Sequence, residues 1–150
     1  MLLRLLVELK IGSIGQVVST KKAPGAIGPY SQAIKSGGFL YSSGQIAMEP
    51  ATGNIPLQMQ KDAAQQTAKC LKNLDAVLTA GGVTRKDVTK ATVFVTDLKD
   101  FAAVNAQYVE YFGKHKPARS CVQVAALPKG ALVEIEAVAH LKEEPDAGKK

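Results

Sequence analysis

The chain has 150 residues, 46% of them hydrophobic and 21% charged, with a formal net charge of +6. That length suits one domain able to bury its own core, and no apolar run reaches the length of a membrane-spanning helix. Residues 1–22 carry Arg4, Lys10, Lys21 and Lys22 against Glu8, so half of the positive excess sits there. The rest shows no Lys/Arg run with interleaved aromatics, which argues against nucleic acid as the main partner.

The segment MLLRLLVELK is amphipathic. Residues 1–22 read either as the remnant of a mitochondrial leader or as an extra segment that packs on the domain or on a partner subunit. Residues 16–20 form a short β-like run. Residues 23–29 hold two prolines and two glycines and are expected to be irregular. Residues 32–36 and 39–43 are extended segments around Gly37-Gly38, a hairpin signal. A loop is expected over 50–56 and a helix over 57–80, with Leu71, Leu74 and Leu78 as its buried stripe and Gly81-Gly82 as its stop.

The spacing predicts a strand over 88–96, with Ala91, Val93 and Val95 facing one way. A second helix is expected over 100–115, with Asp100 as its N-cap and Phe101, Val104, Tyr108 and Phe112 as its stripe. Strands are expected over 119–125 and 132–140, joined by a turn at Leu127-Pro128-Lys129-Gly130. The tail, 141–150, reads as solvated. One domain over 23–140 is therefore expected, in the α+β class, with two helices on one face of a mostly antiparallel sheet. The other face must be polar or must meet another subunit.

Alternation along the last two strands puts Arg119, Cys121 and Gln123 on one face, and Glu134 and Glu136 on the side opposite Val133 and Ile135. If the turn pairs these strands, matching of faces sets Val122 and Val124 beside Val133 and Ile135 against the helices. It then sets Arg119, Cys121 and Gln123 beside the two glutamates on the helix-free face. Such a cluster is either an interface ion pair, with Cys121 as a small filler, or a pocket for a carboxylate, which a guanidinium fork grips bidentately. Cys70 and Cys121 show neither CxxC spacing nor a disulfide framework, which fits a reducing compartment such as the cytoplasm. His115 and His140 show no ligand spacing, so no metal is expected.

The segments APGAIGPYSQAI, FLYSSGQI, ATVFVTDLKDFAAVNAQYVEYF and PARSCVQVAALPKGALVEIEAVA agree in order and spacing with one family. From about Ala23 to Ala139 the chain resembles the Rid/YjgF, or reactive intermediate deaminase, family. The resemblance implies a chorismate-mutase-like fold, a homotrimer closing its sheets into a barrel, and a site at each subunit boundary. It also implies cofactor-free hydrolysis of 2-imino acids and enamines, such as 2-aminoacrylate, to 2-keto acids and ammonia.

By motif position, Arg119 resembles the arginine that grips the substrate carboxylate, and Glu134 the residue that positions the attacking water. Cys121 resembles a pocket-lining cysteine, with plain packing as the alternative. Tyr30 resembles the pocket tyrosine, with ordinary burial as the alternative. Gly44 resembles a glycine whose backbone meets the substrate, with a strand bulge as the alternative. Asn105 resembles the asparagine near the site, although a helical Asn is more often a cap or a solvated residue. Relatives described as translation inhibitors with ribonuclease activity, carboxylate-binding regulators or chaperones supply the competing functions.

Overall fold

A computed structural model describes residues 15–142. Six strands make one sheet: β1 (Gln16–Val18), β2 (Ala33–Ser36), β3 (Phe39–Ser42), β4 (Val88–Val95), β5 (Ala118–Gln123) and β6 (Val133–His140). They lie in the order β1-β2-β3-β6-β4-β5. Every neighbouring pair is antiparallel except β4 with β5, which is parallel. Helices α1 (Ala63–Ala80) and α2 (Phe101–Phe112) pack on each other and cover one face. The Tyr111 hydroxyl on α2 donates to the Asp75 carboxylate on α1 at 2.8 Å, tying the two helices together.

The core lies between that face and the helices. On β4, Ala91, Val93 and Val95 are fully buried, as the alternation requires. Leu40, Leu71, Leu74, Leu78, Val133 and Ile135 join them. Residues 15–22, part of the N-terminal extension read from the sequence, contribute β1 to one edge of the sheet. The rest of that extension, 1–14, and residues 143–150 of the tail fall outside the described residues.

Two helix boundaries differ from the sequence reading. Leu57–Met59 is a separate 3-10 turn, and α1 starts only at Ala63, because the Asp62 carboxylate caps it by accepting from the Gln65 amide at 2.9 Å. Asp100 does not cap α2. A 3-10 turn over Leu98–Asp100 precedes that helix and puts Asp100 in helical backbone, so Asp97 does the capping, one turn earlier. Gly113, at φ 62°, then stops α2 at Phe112.

The largest correction concerns the last two strands. They are not paired, because β4 lies between them. Nine residues, 124–132, separate β5 from β6, too long a connection for a tight hairpin and long enough to step across β4. The chain reaches β5 from β4 through α2, the helical crossover that parallel neighbours need. The face assignment changes with the pairing. Arg119, Cys121 and Gln123 stand beside Ala91, Val93 and Val95, on the helix side. Glu134 and Glu136 stand beside Phe94 and Thr92, on the open side. Val122, expected under the helices, is 43% exposed on the open side.

Candidate active site

One candidate cluster is built around an irregularity in β3. Tyr41 lies opposite Val138, and four residues later Gln45 lies opposite Ile135, so the β3 side carries one residue more than β6. The extra residue makes a bulge at Ser42–Gly44. The Ser42 hydroxyl accepts from the Ala137 amide at 2.9 Å, satisfying a donor that the bulge would orphan. Gln45 then exchanges two backbone hydrogen bonds with Ile135, at 2.8 and 3.0 Å.

The bulge brings Gly44 under the Glu134 side chain. A methyl group at Gly44 would overlap the Glu134 carboxylate, so a side chain there would force Glu134 out of its present position. The bulge reading of Gly44 holds, and the group that lies against its backbone is the Glu134 carboxylate. Glu134 and Gly44 line a cleft of about 470 Å³ together with Tyr30, Ser43, Gln45 and Glu136. Burial pushes the Glu134 carboxyl above the usual range, and the charge of Glu136 adds to the shift.

Tyr30 is 45% exposed, so it is not an ordinary buried tyrosine. It folds back over its own loop, where its hydroxyl accepts from the Ile27 amide at 3.1 Å. Gln32 fixes that loop from beneath. Its side-chain oxygen accepts from the Thr20 amide at 2.7 Å, and its amide donates to the Thr20 and Pro24 carbonyls at 3.0 and 2.8 Å. Buried residues of α1 brace the chain around the cleft, whose lining includes Ile46 and Met48. Asn73 donates to the carbonyls of Ile46 and Met48, both at 2.9 Å, and Gln66 joins Met59 to Leu132. The sequence reading missed Gln32, Ser42, Gln66 and Asn73. Only the occurrence of polar residues inside otherwise apolar stretches marks them.

A second candidate cluster belongs to α2 and β5. Arg119 is half-buried on the helix side of β5, and its Nη1 donates to the Asn105 side-chain oxygen at 2.7 Å. Asn105 thus neither caps the helix nor faces only water. The guanidinium carbon lies 4.7 Å from the Tyr108 ring centre and 5.6 Å from that of Phe101. Among the described residues no carboxylate comes within ion-pair distance of Arg119. The ion pair with a glutamate of its own chain, open from the sequence, is absent because those glutamates project from the opposite face.

Cys121 is half-buried next to Arg119. Burial raises its thiol, and the guanidinium charge works against that shift. Cys70, by contrast, is wholly buried, and its thiol donates to the Val133 carbonyl at 3.4 Å. The six sequence-selected residues thus fall into two groups of three: Tyr30, Gly44 and Glu134 in the cleft, and Arg119, Cys121 and Asn105 on the helix side of the outer strand.

The family model described as Endoribonuclease L-PSP matches residues 20–141. The chain belongs to the Rid/YjgF family. A RutC family protein of Pyrococcus horikoshii is 50% identical over 125 residues, covering 83% of this chain and 97% of that protein. The 2-iminobutanoate/2-iminopropanoate deaminase of Escherichia coli is 46% identical over 129 residues, covering 84% and 98%. The crystal structure of Escherichia coli TdcF with bound serine superposes with a TM-score of 0.78 at 45% identity, covering 85% of this chain and 99% of that one. The α+β architecture is therefore that of the Rid/YjgF proteins. None of the described helices is long and apolar enough to cross a membrane.

Proposed function

We propose that this Rid/YjgF protein is a hydrolase that deaminates 2-imino acids and enamines, such as 2-iminopropanoate and 2-iminobutanoate, to 2-keto acids and ammonia. The observation that carries this reading is the state of Arg119. Its guanidinium is half-buried, oriented by a neutral amide and two rings, and without a counter-charge among the described residues. A cation held in this way is a receptor for a ligand carboxylate. The deaminase name of the E. coli relative and the serine bound by TdcF support the same class of ligand.

The acid–base group and the cation stand on opposite faces of one sheet, so a site containing both needs a second copy of the chain. We take the working form to be a homotrimer in which Arg119, Cys121 and Asn105 of one subunit face Tyr30, Gly44 and Glu134 of the next. The open face suits such an assembly, since Phe39, Phe94 and Val138 are only partly covered, and Tyr41 and Val122 are exposed. Enamines first tautomerise to imines. Arg119 holds the carboxylate, and Glu134 takes a proton from a water as the water oxygen bonds to the imine carbon. The nitrogen gains that proton. The C–N bond of the carbinolamine then breaks as the new hydroxyl gives up its proton, releasing ammonia and leaving the keto acid. Holding water and imine together supplies most of the acceleration.

The test is ammonia and keto-acid release from imines generated in a coupled assay. Arg119→Ala should lose about 100-fold in kcat/KM while keeping the wild-type oligomeric state. Wild-type turnover by that variant removes Arg119 from the reaction. Keto-acid binding without ammonia release by the wild type would make the protein a carboxylate-binding regulator. Mixed trimers of Arg119→Ala and Glu134→Gln subunits test the shared site. In a random equimolar mixture of the two variants about a quarter of all sites should regain both groups, whereas a site within one chain regains none.

A further inference from the structure

On α2, Phe101, Asn105 and Tyr108 follow one another at spacings of four and three, so they line one stripe of the helix. All three meet the guanidinium of Arg119. We infer that Phe101 and Tyr108 are positioning residues whose rings hold the Arg119 guanidinium in the orientation that receives a carboxylate, and that Asn105 must stay uncharged for that receptor to work. The inference rests on the reading of Arg119 as the carboxylate receptor.

Three observations converge on it. First, Arg119 lacks what usually fixes a half-buried arginine, since no carboxylate of the described chain pairs with it. Both rings lie within the distance at which a guanidinium is attracted to an aromatic face, so they supply the restraint that an ion pair would otherwise give.

Second, the single hydrogen bond that the Arg119 side chain makes among the described residues uses Nη1. Nε and Nη2 have no partner among the described residues, which leaves the side edge of the fork for a bidentate ligand. An amide at position 105 orients the cation without neutralising it, whereas a carboxylate there would occupy the fork as an internal ligand.

Third, the Tyr108 hydroxyl is buried and has no hydrogen-bond partner among the described residues. A buried hydroxyl left unpaired is a cost to the fold. What Tyr108 gives the site is therefore its ring, and removing the hydroxyl alone should be harmless.

The experiment measures binding of 2-oxobutanoate, a stable 2-keto acid, by titration calorimetry, together with KM and kcat in the imine assay. Thermal melting and oligomeric state are recorded for each variant. Tyr108→Phe should bind within about twofold of wild type and melt no lower, because the ring is kept. Tyr108→Leu should weaken binding about tenfold, and the change should appear in KM with kcat nearly unchanged. Phe101 is 40% exposed, so Phe101→Leu leaves the core intact and should weaken binding about fivefold even if Tyr108→Leu fails to fold. Asn105→Asp should weaken it by about tenfold or more, through internal pairing with Arg119.

Wild-type affinity in Phe101→Leu and Asn105→Asp, with binding lost in Arg119→Ala, overturns the inference and leaves the receptor reading standing. A Tyr108→Phe variant as weak as Tyr108→Leu overturns it too, by assigning the effect to the hydroxyl. Equal binding by wild type and Arg119→Ala overturns the receptor reading, and this inference with it.

Discussion

The two clusters that the proposed site brings together are built by different means. The cation half is made of regular structure: one stripe of α2 and one residue of β5, in contact through rings and a single amide. The carboxylate half is made of irregular structure: a bulge, a loop folded on itself by Tyr30, and segments stapled by the buried side chains of Gln32, Gln66 and Asn73. A side chain on a helix-backed strand needs little besides packing to hold its direction. A side chain over a bulge needs every freed backbone group satisfied from elsewhere, which explains why the polar residues of the interior gather under that half.

That contrast can be broken at several points. The largest effect is expected at the carboxylate itself. Glu134→Gln should cut kcat by about 100-fold or more while leaving keto-acid binding near wild type, because the acid–base step is lost and the Arg119 grip is kept. Rates checked by ammonia release, with affinity measured separately, decide it. Next comes Gly44→Ala, which drives a methyl group into the Glu134 carboxylate and should lower kcat about tenfold by displacing it. The same substitution leaves the cation half untouched, so its binding constant should not move.

Asn73→Ala sharpens the comparison through stability. It removes two hydrogen bonds to otherwise orphaned carbonyls and should cost about 2 kcal/mol in denaturant unfolding. Activity should fall because the Ile46–Met48 segment beside the bulge loosens, and the Arg119 side should be unaffected.

The smallest effect concerns pH. Glu134 has its folded pKa raised by burial and, secondarily, by Glu136. The native state therefore binds this proton more tightly than the unfolded chain does. The stability contributed by the protonated group is complete below the unfolded carboxyl value and is lost as pH rises through the folded one. Glu134→Gln should accordingly melt slightly higher than wild type at neutral pH, with the gap closing in acid. Glu136→Gln should move the acid limb of the rate profile to lower pH. A limb that stays put would assign the shift to burial alone.

Much of this was legible in the residues. Alternation in β4 named its buried face correctly, and the stripe Phe101, Val104, Tyr108 and Phe112 named that of α2 except at Phe101, which is exposed at the first turn of the helix. Parity also grouped Arg119 with Cys121, and Glu134 with Glu136. What parity cannot give is which neighbour a strand takes. The Leu127–Gly130 turn suggested a hairpin, and one wrong partner moved the arginine to the wrong face of the sheet. Asp62 followed by Gln65 is a readable helix start that the leucine periodicity around it obscured. Gln66 and Asn73 look like members of a solvated helix face, since a buried amide and an exposed one are spelled alike. Their partners lie up to 66 residues away.

The thiol of Cys70 has a practical consequence. It is sealed between α1 and β6, its burial raises its pKa, and it holds on to the Val133 carbonyl one residue before Glu134. An alkylating reagent therefore meets only Cys121 in the intact protein, and reaches Cys70 when that helix lifts from the strand. The chain carries its own clock for openings beneath Glu134, readable by mass without any added label.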